Sequence, residues 1–128
     1  SPKPARTLTV LLVDSDPAAQ RQMVSMLSGR NHRVVPNASY QEAVDIVQRM
    51  RFDCVFFAVR PANPNWMDLF ERIRSHTSST VLVTDGFDPE LHRTASEHLA
   101  LARPVEEIDL DQILEIVADR ADTARLAK

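Results

Sequence analysis

A chain of 128 residues, 44% apolar and 26% charged, has the length and composition of one soluble globular domain, and such a chain buries roughly two-thirds of its unfolded surface. Its formal net charge of −3 gives no electrostatic footing for nucleic acid or an anionic membrane surface. No apolar run approaches membrane-spanning length, no secretion or targeting signal opens the chain, and the lone Cys54 cannot form an internal disulfide. A reducing cytoplasm is the expected compartment.

Residues 1–6 hold two prolines and two cations and read as a linker or an expression-vector edge. The run from Leu8 to Val13 is a buried strand closed by Asp14-Ser15-Asp16-Pro17. Asp16 followed by Pro17 is a helix start, a side-chain acceptor at the cap with proline at the first helical position. Met23, Met26 and Leu27 then share one helical face, read as core packing, and Gly29 ends the helix. His32 to Val35 is a short strand. Ser39-Tyr40-Gln41-Glu42 matches a capping box and opens a helix with Ala43, Val44, Ile46 and Val47 inward.

The run Cys54 to Ala58 is too short and too apolar for anything but a strand buried on both faces. A loop with Pro61 and Pro64 leads into a helix through Leu69, Phe70 and Ile73. Thr80 to Thr84 is the fourth strand, Asp88-Pro89 repeats the Asp-Pro helix start, and Leu99 to Leu101 is the fifth. A last helix carries Ile108, Leu110, Ile113, Leu114 and Val117. Five alternations of strand and helix call for a parallel sheet with helices on both faces, a flavodoxin-like (βα)5 three-layer α/β sandwich. Functional loops of such sheets lie at the carboxyl ends of the strands. Those loops hold Asp14 to Asp16, Ala58 to Asn65, Thr84-Asp85-Gly86 and Arg103-Pro104.

In order and register these elements resemble the phosphoacceptor receiver domains of two-component signalling, over about residues 8–117. Leu11 to Pro17 is similar to the family's strand-one motif, Ser39 to Val44 to the opening of its second helix. Thr84 stands at the conserved hydroxyl, and Arg103-Pro104 at the Lys-Pro pair. By this resemblance the phosphoacceptor aspartate position is Ala58, whose methyl cannot attack a phosphoryl donor. The second acidic position, normally a metal ligand, is Ser15, a poor partner for Mg²⁺. Arg103 keeps the charge of the family lysine without its point-like geometry. The loop Pro61 to Trp66 departs from the family's Met-Pro-x-Met-Asp-Gly, and the stretch from Thr84 to Arg103 is shorter than is usual, with Ser96-Glu97-His98 in place of a Gly-Ala pair. The surface used for dimers or output contacts is therefore expected to be remodelled.

The resemblance with these departures implies a degenerate receiver, or pseudo-receiver. No catalytic residue, cofactor or bound metal is expected, and Asp14, Ser15, Ala58, Thr84 and Arg103 are vestigial positions. Asp14 and Asp16 read as a salt-bridge partner and a helix cap, and Arg103 is the cation expected to pair with Asp14. His32, His76, His92 and His98 show no metal-ligand spacing and read as solvated. Ser15 and Thr84 lack a histidine base, and Gly29 and Gly86 cannot build a phosphate-cradling loop. Trp66 reads either as packed in its own loop or as an exposed anchor for a partner.

Domain limits follow as linker 1–6, receiver-like domain 7–118, and 119–128 as helix extension or linker. The implied function is phosphorylation-independent protein–protein interaction or regulation within a phosphorelay, with no enzyme activity. The partner is a protein, such as a histidine kinase or output domain, and a homodimer is admitted; direct nucleic-acid or membrane binding is not. The alternative is a small-molecule sensor using the vacated pocket, with Asp14, Arg103 and Thr84 receiving a polar ligand.

Overall fold

The alternation of side chains across a strand sorts the apolar residues into two sets, and each set finds its own layer of helices. The structure is a computed structural model that describes residues 6–86 and 99–126. Its strands are β1 (Thr9–Val13), β2 (Arg33–Asn37), β3 (Cys54–Ala58), β4 (Thr80–Asp85) and β5 (Leu99–Arg103). They form one parallel sheet in the order β2-β1-β3-β4-β5. The described helices are α1 (Pro17–Ser28), α2 (Tyr40–Arg49), α3 (Trp66–Arg74) and α4 (Glu107–Leu126). The helix expected to open at Asp88-Pro89 and the departure at Ser96 to His98 lie outside the described residues. This is the flavodoxin-like three-layer arrangement.

Val10, Leu12, Cys54, Phe56, Val81 and Val83 face α1 and α4, meeting Met23, Leu27, Leu110, Leu114 and Val117. Leu11, Val13, Val55, Phe57 and Leu82 face α2 and α3, meeting Tyr40, Val44, Val47, Phe70 and Ile73. The central β3 is buried at all five positions, as a strand covered on both faces must be.

Local chemistry sets the element ends. The Asp16 carboxylate accepts from the Ala19 N–H at 3.0 Å, with Pro17 at the first helical position. Ser39 accepts from the Glu42 N–H at 3.2 Å and starts α2. Gly29 caps α1 but stays right-handed at φ −62; Asn31, at φ 64, takes the left-handed turn instead. Asparagine tolerates that region better than most residues.

Several expectations shift: the fifth strand runs two residues past Leu101, to Arg103, and Met26 is only partly buried against the core. The second strand runs two residues further than Val35, through Pro36 to Asn37. It lies at the sheet's edge, where a missing N–H costs no central ladder bond. Ile46 is only partly buried against its cluster, and Ile108 is 68% exposed, outside the core that the rest of α4 enters. No described helix is long and apolar enough to cross a membrane.

Candidate functional site

In a sheet of order 2-1-3-4-5 the crevice at the carboxyl ends opens between β1 and β3, where the strand order reverses. The residue after β1 is Asp14, buried to 3% exposure at that point. The Asp16 N–H donates to its Oδ1 at 2.9 Å. Arg60, two residues beyond β3, reaches across with both arms: Nε donates to Oδ1 and Nη2 to Oδ2, each at 3.0 Å. Parallel donation of this kind is the strongest form of side-chain pairing. Asp16 lies 3.9 Å and Asp85 4.0 Å from the same guanidinium. The hydrogen bonds Arg60 donates to Asp14, reinforced by the charges of Asp14, Asp85 and Asp16, raise the Arg60 pKa above its ordinary value against the opposing effect of burial.

The expected pairing of Asp14 with Arg103 is therefore corrected. Arg103 lies opposite Asp85 in the β4–β5 register, and its Nε donates to Asp85 Oδ1 at 2.6 Å. Its Nη2 donates to the Val59 carbonyl at 3.2 Å. Strand spacing explains the exchange of partners. Three interstrand steps separate β1 from β5, about 14 Å of sheet, whereas Arg60 hangs from the strand beside β1. The Arg103 hydrogen bond holds the Asp85 carboxyl below the usual carboxylate range. Asp85 is largely exposed, so this pair adds little stability.

The other positions expected to be vestigial, Ser15, Ala58 and Thr84, each find a separate partner. Ala58 is buried at 1% exposure, and its carbonyl accepts from the Tyr40 hydroxyl. The Tyr40 ring stands edge-on to Phe57 at 5.1 Å between centroids, and burial raises its phenol pKa. The Thr84 hydroxyl is turned into its own loop, donating to the Gly86 carbonyl at 2.9 Å. Asn63 approaches Ser15 Oγ at 3.4 Å. Trp66 is half-buried, its ring tilted 6.3 Å from both Phe57 and Phe70, so its packing partners are core aromatics.

The receiver fold implies Mg²⁺ at this crevice, and the residues present do not fit it. A hard cation that keeps several waters takes one or two free carboxylates. Here both Asp14 oxygens already accept from Arg60, and Ser15 and Ala58 supply no anionic oxygen. Among the described residues no group of three or more His, Cys, Asp or Glu could hold a metal ion. The Arg60 guanidinium occupies the electrostatic role that a cation would otherwise have there.

Beside the crevice, between α1 and the segment after β5, lies a cavity of about 330 Å³. Ala58, Leu12 and Val83 line it from the sheet, Met23 and Met26 from α1, and Arg103 to Val105 from the far side.

Of the histidines, His76 is exposed, while His92 and His98 lie outside the described residues. His32 is not simply solvated: its Nδ1 accepts from the Leu8 N–H at 3.0 Å. Arg60 and Tyr40 were not singled out by the sequence reasoning. The available signal for Arg60 was a cation placed just past the strand that neighbours β1.

No protein-family model matches the chain, and no curated protein matches it. Solved structures do. The chemotaxis protein CheY4 of Vibrio cholerae is 20% identical, with a TM-score of 0.75 over 88% of this chain and 99% of that one. A CheY-like response regulator receiver domain from Methylobacillus flagellatus is 22% identical, with a TM-score of 0.76 over 88% and 99%. The adenylate cyclase structure from Rhodopirellula baltica is 16% identical, with a TM-score of 0.81 over 95% of each chain. These likenesses establish that the chain has the fold of response-regulator receiver domains.

Proposed function

We propose that this chain is a pseudo-receiver: a receiver-fold module of two-component signalling that works by phosphorylation-independent protein–protein contact, in the cytoplasm and without enzyme activity. The observation that carries this reading is the two-armed Arg60–Asp14 pair beside Ala58. Phosphoryl transfer to a receiver needs a carboxylate nucleophile and a divalent cation screening the anionic oxygens. Here the nucleophile is a methyl group, and the cation position is filled by a guanidinium that cannot leave. The pocket rests in one electrostatic state. Such a module suits a fixed contact with a kinase, an output domain or a second copy, with half-buried Trp66 and 46% exposed Met67 as the contact edge.

Amide NMR with Mg²⁺ and then beryllofluoride, a phosphoryl mimic, tests this. The expectation is no saturable shift at Asp14, Ala58, Thr84 or Arg103. A saturable shift centred on Asp14 and dependent on Mg²⁺ would overturn it.

A second reading, small-molecule sensing through the vacated site, is favoured by the cavity beside Ala58. Its volume of about 330 Å³ is at the lower end of the range of small-molecule sites.

A further inference from the structure

The cavity beside the crevice offers an occupant no unspent charge. Its charged wall residues among the described ones are Asp14 and Arg103, and both are committed. Each Asp14 oxygen accepts from Arg60. Arg103 donates through Nε to Asp85 and through Nη2 to the Val59 carbonyl, while its Nη1 is buried and does not open into the cavity. A charged molecule entering here gives up its hydration and gains no counter-charge, which is strongly unfavourable. The rest of the wall is apolar: Leu12 and Val83 from the sheet, Met23 and Met26 from α1, Val105 beyond β5. The two unbranched methionines adapt readily to an occupant's outline, and apolar cavities smaller than this one take up small aromatic molecules. One polar group on the wall is free. The Gln22 side chain is exposed on α1 and has no partner among the described residues. An amide both donates and accepts, so it can receive a neutral hydroxyl or carbonyl.

We infer that this cavity binds a compact, uncharged, mainly apolar molecule, its body against Met23 and Met26 and its one polar end at Gln22. This rests on the sensing reading and names its ligand class. The occupant touches α1 and the segment after β5 together, so binding reaches two elements at once with no covalent step.

The test is an NMR titration of the whole chain, read at backbone amides and methionine methyl groups, with octanol and 4-phenylbutanol. Octanoate and 4-phenylbutyrate serve as anionic counterparts of the same shape, octylamine and 4-phenylbutylamine as cationic ones. The expected result is saturable shifts at Met23, Met26 and Ala58 with the alcohols, and at least tenfold weaker binding of the acids and amines. Gln22→Ala, a change at an exposed helix position, should weaken the alcohols at least threefold. Ala19→Phe, on the half-exposed cavity wall of α1, should block them. Binding of the acids or amines as tight as that of the alcohols would overturn the uncharged assignment while leaving the sensing reading in place. Alcohol affinity unchanged by Gln22→Ala would overturn the placement of the polar end, and affinity unchanged by Ala19→Phe would overturn the cavity as the site. If Ala19→Phe fails to fold, the comparison of the six compounds in the natural chain still decides. No saturable shift from any of them would overturn both the inference and the sensing reading.

Discussion

Replacing Arg60 with methionine keeps the length and apolar stem of the side chain and removes its charge and donors. The carboxylate left behind is 4% exposed and the departing guanidinium 15% exposed, so water cannot take over the lost bonds without opening the crevice. Breaking a buried ion pair by removing one partner costs about 3–5 kcal/mol. Asp14 keeps the bond from the Asp16 N–H at 2.9 Å, which places the expected loss at the lower end, about 3 kcal/mol. For a domain of this size that is about 12 °C in thermal midpoint. The assay is thermal and urea unfolding by circular dichroism, the urea slope reporting whether two-state behaviour survives. Adding Asp14→Asn to Arg60→Met should recover at least half the loss, because the stranded charge is then gone. A midpoint within about 3 °C of the parent, or simple additivity of the two substitutions, would refute the role given to this pair.

Four further outcomes follow from the same geometry. Burial first, then the charge of Arg30, lowers the His32 pKa, with Asp53 opposing. The unfolded chain therefore takes up the proton first, so stability is full above about pH 6.5 and falls as pH drops below it; His32→Asn, which keeps an acceptor for the Leu8 N–H, should flatten that fall in a pH series of melts. Burial raises the pKa of the Cys54 thiol, so iodoacetamide at mildly alkaline pH should leave the folded protein unmodified and label it in denaturant, as mass spectrometry would read. Asp16→Ala removes the cap on Ala19 and should cost about 1 kcal/mol, seen as a fall in midpoint of about 4 °C. Ser15→Asp with Ala58→Asp crowds carboxylates around Asp14 and should lower the midpoint of metal-free protein; an unchanged or raised midpoint counts against like-charge repulsion as the cost of an acidic pocket.

The sheet was readable because parallel strands are buried on both faces, and runs such as Val10–Val13 and Cys54–Ala58 leave no other use for their residues. The Asp16 and Ser39 caps were readable because capping is a matter of nearest neighbours in sequence. The partner of Asp14 was not. The family resemblance points to Arg103 alone, whereas the choice of Arg60 depends on strand order across the sheet, which no local pattern records. His32 was misjudged for a related reason, since its acceptor role depends on β1 passing alongside, 24 residues away in sequence. The second strand continues past Val35 through Pro36 because the usual objection to a proline in a strand vanishes at an edge.

The helix α4 has 20 residues, about 30 Å of length, against about 17 Å for a five-residue strand. Starting from the carboxyl end of β5 and running back, it overshoots the opposite rim of the sheet. There Arg6, just ahead of β1, grips Asp122 at 2.7 Å and Asp53 at 3.2 Å. Arg6 and the last turns of α4 are thus moored together at one pole, while the Arg60 crevice and the cavity sit at the other. The ion pairs that close the amino-end rim of the sheet leave the carboxyl-end crevice uncovered.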